Sequence, residues 1–267
     1  MKTLRLLGMA LVGVVMCGYF TSCSSDDDGD NGDTPVKNDD GIVTNQKKLI
    51  EMKETDEDDT NTFSFSYDSK GRLISVVEKD YDSSNSDIIN ITWGENSVTE
   101  NEDGESIAYS LTDGLARTGV ETNGRNYSFA YNSSKQLTTY QYGDKYYSRT
   151  RTLTWENGKV IKIAYDKDIS EFTYGSQTCK GYFPLMATMV EDDFKVMIAH
   201  PELVGMRATQ LPEQSYYKEG DYETTSKFAY KLDKDGYLDS CTENYTEKNV
   251  SSGTTYTYTT IYTFKWE

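Results

Sequence analysis

A single histidine stands among 267 residues, and that scarcity removes most hydrolytic and metal chemistry. A hydrolytic triad would have to be built on His200, which sits in Ala199-His200-Pro201-Glu202 in a chain with no Gly-x-Ser-x-Gly elbow. Zinc sites want clustered His and Cys, and one His with the distant Cys179 and Cys241 cannot furnish one. No glycine-rich phosphate loop occurs either, so no cofactor or metal is expected. Basic residues are sparse: 27 Lys and Arg lie scattered among 44 Asp and Glu, for a formal charge of −17. Phosphate backbones are held by clustered cations, so nucleic acid is excluded as a partner, and anionic membrane surfaces are disfavoured for the same reason. No apolar run reaches the roughly 18 residues of a membrane-spanning helix.

The longest apolar run, Leu6 to Phe20, follows the positive Lys2 and Arg5 and precedes the small residues Thr21 and Ser22. This is the layout of a signal peptide over residues 1–22. Phe20-Thr21-Ser22-Cys23 resembles the lipobox of bacterial lipoproteins, which implies a diacylglycerol thioether on Cys23 and cleavage just before it. Each buried acyl CH₂ contributes about 0.8 kcal/mol, so two or three chains such as palmitate anchor a protein without further contacts. Ser24-Ser25-Asp26-Asp27-Asp28 is similar to the export tag that sends lipoproteins to the outer face in one phylum of Gram-negative gut bacteria. The plainer reading of these aspartates is a solvated tether, which would leave the protein on the periplasmic face. Residues 23–41 read as the lipidated cysteine and an acidic, flexible tether with an end-to-end distance of about 23 Å. The expected address is therefore the outer membrane, reached through the lipid alone and facing the cell exterior.

From residue 42 to 267 the pattern is strand after strand. In Thr62 to Asp68 the period of two sets Phe63, Phe65 and Tyr67 on one face. Asp68-Ser69-Lys70-Gly71 supplies a turn before Arg72 to Val77, with Gly71 free to take positive φ. The unit apolar-x-aromatic, polar turn, aliphatic recurs at Ile91-Thr92-Trp93, Phe129-Ala130-Tyr131, Leu153-Thr154-Trp155 and Phe228-Ala229-Tyr230. Weaker copies begin at Tyr109-Ser110-Leu111 and Phe172-Thr173-Tyr174. A lone hairpin cannot bury its apolar face, so the expected fold is mainly β: an antiparallel meander forming one curved, twisted sheet or an open barrel. Tyr67-Asp68-Ser69-Lys70-Gly71-Arg72-Leu73 resembles the YD motif of Rhs-type repeat proteins. The whole layout is similar to a family of gut-bacterial lipoproteins of unknown function, a resemblance that implies location and fold and brings no catalytic residues.

An insertion at about 180–214 breaks the rhythm. It mixes Met, Ile, Phe and Val without alternation, predicting short helices interrupted at Pro201 and packed on the concave face of the sheet. Cys179 and Cys241 pair in an oxidising compartment or stay as two buried thiols. The acidic clusters Glu54 to Asp59 and Glu191-Asp192-Asp193 read as solvated loops or a helix start. Asp233-Lys234-Asp235-Gly236 resembles half a calcium loop but lacks the other ligands, so it reads as a β-turn. Tyrosine is abundant at 22 copies, with Tyr140, Tyr142, Tyr146 and Tyr147 around one turn and Tyr216, Tyr217 and Tyr222 around another. These serve as strand residues or as an aromatic binding surface for a sugar or an extended peptide. The expected function is non-catalytic binding of a glycan or a partner protein of the outer membrane. The alternatives are a carboxylate-based glycoside hydrolase, betrayed by two facing acids of perturbed pKa, and a structural or lipid-carrier protein.

Overall fold

Alternation decides which way each strand faces. The computed structural model describes residues 35–37, 42–57, 59–81, 86–165, 168–190 and 195–267. The signal peptide and the sites Cys23, Ser24, Ser25, Asp26, Asp27 and Asp28 lie outside the described residues, as does Glu191-Asp192-Asp193. Sixteen strands follow one another: β1 (Leu49–Asp56), β2 (Asp59–Tyr67), β3 (Leu73–Lys79), β4 (Asp87–Trp93), β5 (Ser97–Glu102), β6 (Glu105–Thr112), β7 (Leu115–Glu121) and β8 (Asn126–Tyr131). The second half comprises β9 (Leu137–Gly143), β10 (Ser148–Glu156), β11 (Lys159–Tyr165), β12 (Asp168–Thr178), β13 (Gln210–Glu219), β14 (Tyr222–Leu232), β15 (Leu238–Asn249) and β16 (Thr255–Trp266). On β10, Leu153 is buried while Ser148, Thr150, Thr152 and Thr154 are exposed. On β16, Tyr262 and Phe264 are buried between exposed Thr259, Ile261, Thr263 and Lys265.

Each strand pairs antiparallel with the next, and β1 pairs with β16 from Leu49↔Trp266 to Asp56↔Thr260. The meander is thus a closed barrel of 16 strands, where the sequence predicted one curved sheet or an open barrel. Closure satisfies the N–H and C=O groups that two sheet edges would leave unpaired. Register shifts recur at one rim, beside Tyr67, Leu111, Tyr131, Trp155 and Tyr174, and such bulges add twist and bend each hairpin in the same sense.

That rim carries an aromatic belt built from the recurring unit. The indole or hydroxyl of its aromatic residue donates to a carbonyl on the strand before it. Tyr67 reaches Leu49, Trp93 reaches Leu73, Tyr131 reaches Ala116 and Trp155 reaches Leu137, all at 2.6–2.7 Å. Tyr174 reaches Val160, Tyr230 reaches Pro212 and Trp266 reaches Leu238, each at 2.7 Å. Leu111 stands at the remaining even strand and has no donor to give. The turns beyond the belt share one device: the Oδ1 atoms of Asp68, Asn132 and Asp233 each accept backbone N–H groups two and four residues on, at 2.8–3.0 Å. Asp233 is therefore a turn residue, and it and Asp235 pair with Lys47 at 3.4 and 2.7 Å. The first and last strands close at this rim, where Lys48 and Glu267 exchange backbone hydrogen bonds of 2.7 and 2.9 Å.

The segment between β12 and β13 folds into the barrel from the same rim and plugs it. Helices α1 (Leu185–Thr188) and α2 (Lys195–Ala199) and a 3-10 turn, Pro201–Val204, follow the predicted interruption at Pro201. The insertion ends earlier than its composition indicates, because Gln210–Gln214 already belongs to β13. Phe183, Leu185, Met186, Val196, Ile198 and Leu203 are buried in one core with the inward residues Leu73, Ile89, Tyr109 and Leu137. Each such side chain contributes about 1.5–3 kcal/mol. Polar groups fix the plug. The His200 Nε2 accepts the Leu73 N–H at 3.1 Å, so Nδ1 carries the proton and faces Glu202 at 3.2 Å. Glu202 also accepts the Val43 N–H at 3.2 Å and pairs with Arg207 at 3.0 Å, while Arg207 bonds Gln46. Glu100 of β5 accepts the Val196 N–H at 2.6 Å, and Lys195 pairs with Glu78 of β3 at 3.0 Å.

Cys179 and Cys241 are free and buried, so the disulfide left open by the sequence is not made. Cys179 enters the plug and Cys241 faces inward from β15, where burial pushes the Cys179 thiol up to about 12 and raises that of Cys241 well above its ordinary value.

Candidate functional site in the barrel mouth

The end opposite the plug is bounded, among the described residues, by short turns, and its inward residues change from aliphatic to tyrosine and charge. Register sets Tyr109, Gly119, Tyr127, Phe129, Tyr140 and Tyr142 side by side on the inner wall of β6 to β9. Tyr140 and Tyr142 stack at 5.4 Å and 20°, and Tyr127 stacks on Tyr142 at 6.2 Å and 19°. Gly119 makes the room: a Cβ there would lie 2.9 Å from the Tyr109 ring and 3.1 Å from the Tyr127 Cβ. Arg149 extends the wall onto β10 and β11, donating to the Tyr142 hydroxyl at 3.2 Å and covering the rings of Tyr147 and Tyr165 at 4.8 and 5.1 Å. Arg125 lies 5.9 Å from the Tyr142 ring, and Tyr127 donates to Glu121 at 2.7 Å.

The tyrosines singled out in sequence do not form one platform. Tyr140 is fully buried in the wall, Tyr142 stands beside it at the mouth, and Tyr147 joins them through Arg149, whereas Tyr146 is 83% exposed on the turn. Tyr217 faces inward opposite Thr224 and donates to Glu219 at 2.7 Å. Its neighbour Tyr216 faces outward on the polar side of β13, and Tyr222 is exposed at the rim. The sequence reading missed Tyr127, Tyr165, Tyr245 and Tyr258, all inward at this end. Cross-strand register is the signal that groups them, and it requires knowing which strands pair.

On the far wall two acids meet. Tyr262 of β16 sits between Glu54 of β1 and Glu243 of β15, its hydroxyl 3.3 Å from one carboxylate and 3.4 Å from the other. One phenol donates one proton, so it satisfies one acid at a time. Glu54 is half-buried and Glu243 and Tyr262 are buried. Burial chiefly, then the charges of Glu243 and Asp56, push the Glu54 carboxyl up to about 7 against hydrogen bonds from Tyr262 and Asn61. Burial also raises Glu243, opposed by Ser226 and Tyr262. Glu54 thus lies in a strand and faces the lumen, where its sequence neighbourhood read as a solvated acidic loop. The pair has the shifted acidity expected of a glycoside hydrolase, but Tyr262 fills the gap between the acids where a glycosidic bond would have to lie. Among the described residues no group of three or more His, Cys, Asp and Glu side chains could hold a metal ion.

Fold and site together define a plugged 16-stranded barrel with an apolar interior, a hydrophilic outer wall and a tyrosine-lined mouth. No protein-family model and no curated protein sequence matches the chain. Its structure is similar to a porin-like protein from Bacteroides uniformis, with a TM-score of 0.64 and 20% identity over 83% of this chain and 96% of that one. A porin-like protein from Bacteroides vulgatus has a TM-score of 0.55 and 12% identity over 82% of this chain and 98% of its own. At these identities the likeness shows the fold.

Proposed function

We propose that the protein is an outer-membrane lipoprotein, anchored through Cys23, whose barrel binds a glycan or a segment of a partner protein in its mouth without catalysing a reaction. The carrying observation is the polarity of the barrel: stacked tyrosines inside a plugged cup, and Thr, Ser, Asn, Lys and Glu outside. A barrel embedded in lipid shows the reverse on its outer face, an apolar band about 25 Å tall between aromatic girdles. Strands β4 to β9 are also only 6–8 residues long, which at the usual tilt spans about 15–20 Å of barrel axis. The porin-like neighbours support an outer-membrane address, and the hydrophilic wall supports a barrel held beside the membrane by lipid. The plug fills one end with apolar side chains, which favours capture at the other end over passage through.

Binding is tested with the full chain carrying Cys23→Ala in a broad glycan and peptide screen. Micromolar to millimolar binding that drops at least tenfold in Tyr142→Ala supports the reading, and no binder at millimolar concentration refutes it. Incorporation of labelled fatty acid that vanishes in Cys23→Ala supports the anchor; label retained in that variant removes it.

A further inference from the structure

Among the described residues, the groups acting on the acid pair of the far wall include no base. The groups that influence Glu54 are Tyr262, Asn61, Glu243 and Asp56, and those that influence Glu243 are Ser226 and Tyr262. Two carboxylates held together away from bulk water without a cation are costly unless they share protons or receive a positive charge. Among the described residues, no Lys or Arg is among the groups that act on either acid. Next to Glu243 lies a second unmet demand: the Ser226 hydroxyl is fully buried with no hydrogen-bond partner, as is that of Ser215 directly across from it on β13. Nearer the mouth, Tyr245 and the 45% exposed Tyr258 face each other at 5.8 Å, offering ring faces to a sugar or a cation.

We propose that Glu54 and Glu243, bridged by Tyr262 and flanked by Ser226 and Ser215, form a subsite for the protonated amine of an amino sugar entering the mouth. The inference rests on the mouth being a binding site and names the charge its ligand brings. An ammonium supplies three donors, enough to engage the Glu54 and Glu243 carboxylates that share Tyr262, with the Ser226 hydroxyl beside Glu243 as a further acceptor. A saccharide is favoured over a lysine-bearing peptide because flat tyrosines line both walls of the mouth, and rings of this kind stack on pyranose faces.

The experiment is calorimetry at pH 7 on the full chain with Cys23→Ala, titrated with a glucosamine disaccharide, its fully N-acetylated counterpart and Nα-acetyl-lysine amide. The amine disaccharide should bind at least tenfold tighter than the acetylated one, and Glu243→Gln and Glu54→Gln should each remove most of that preference with the circular dichroism spectrum unchanged. Ser226→Ala should weaken the amine disaccharide severalfold, and it serves as the test if a Gln variant does not fold. Equal binding of the two disaccharides overturns the subsite and leaves the binding module standing. Unchanged preference in folded Gln variants overturns it too, as does lysine amide binding as tightly as the amine disaccharide. Failure of every glycan and peptide removes both readings.

Discussion

Glu54, half-buried, and Glu202, buried, are acids with opposite shifts, and each leaves its mark on stability against pH. Glu54 is raised to about 7 from 4.5, so its contribution is full below pH 4.5 and is lost as pH rises through 7. A shift of that size corresponds to roughly 3 kcal/mol at most. The melting temperature should fall between pH 5 and pH 8, and Glu54→Gln should flatten that limb; a wild-type profile identical to that of the variant contradicts the buried pair. Glu202 goes the other way. Burial opposes its charge, but the hydrogen bond from His200 and the charge of Arg207 hold it down to about 2, so its contribution is present above pH 4.5 and lost as pH falls toward 2. Glu202→Gln leaves the Arg207 guanidinium without its carboxylate and should cost about 3 kcal/mol or more in urea unfolding at pH 7. The isolation of His200 in the sequence argued against a triad, while its bonds to Leu73 and Glu202 in the plug were not legible. Nor was Glu54, because an acid near a run of acids looks solvated until β1 is known to pair with β16 and turn that acid inward.

At the scale of the element, the aromatic belt repeats one hydrogen bond around the rim. Tyr131→Phe keeps the ring and removes the donor to Ala116, so it should cost about 1 kcal/mol, read as a lower urea midpoint with unchanged m-value. The plug has its own tight point at Gly205, whose φ is +61° and where a Cβ would run into the Lys135 carbonyl of the β8–β9 turn. Gly205→Ala combines backbone strain with a clash and should cost about 3 kcal/mol or more, measured the same way. The hairpins were readable because aromatic spacing and turn residues are local, as the Asp68 turn shows. The final copy, Phe264-Lys265-Trp266, escaped notice because no turn follows it: its partner is β1, more than 200 residues away in sequence. The same non-local pairing separates a closed barrel from an open one, which is why closure was not legible.

At the scale of the whole molecule, the described residues form a closed barrel whose outer wall carries Thr, Ser and Lys. Thr, Ser and Lys on the outer wall predict that the chain with Cys23→Ala stays monodisperse without detergent in sedimentation; dependence on detergent would place the outer wall in lipid. Both ends of the strand sequence, Lys48 and Glu267, close on the plugged rim. Under the proposed anchor at Cys23 the lipid would be joined to the barrel through this plugged rim, and the mouth lies at the opposite end. A ligand held in the mouth as proposed would leave by the opening it entered, because the plug fills the other end of the described barrel.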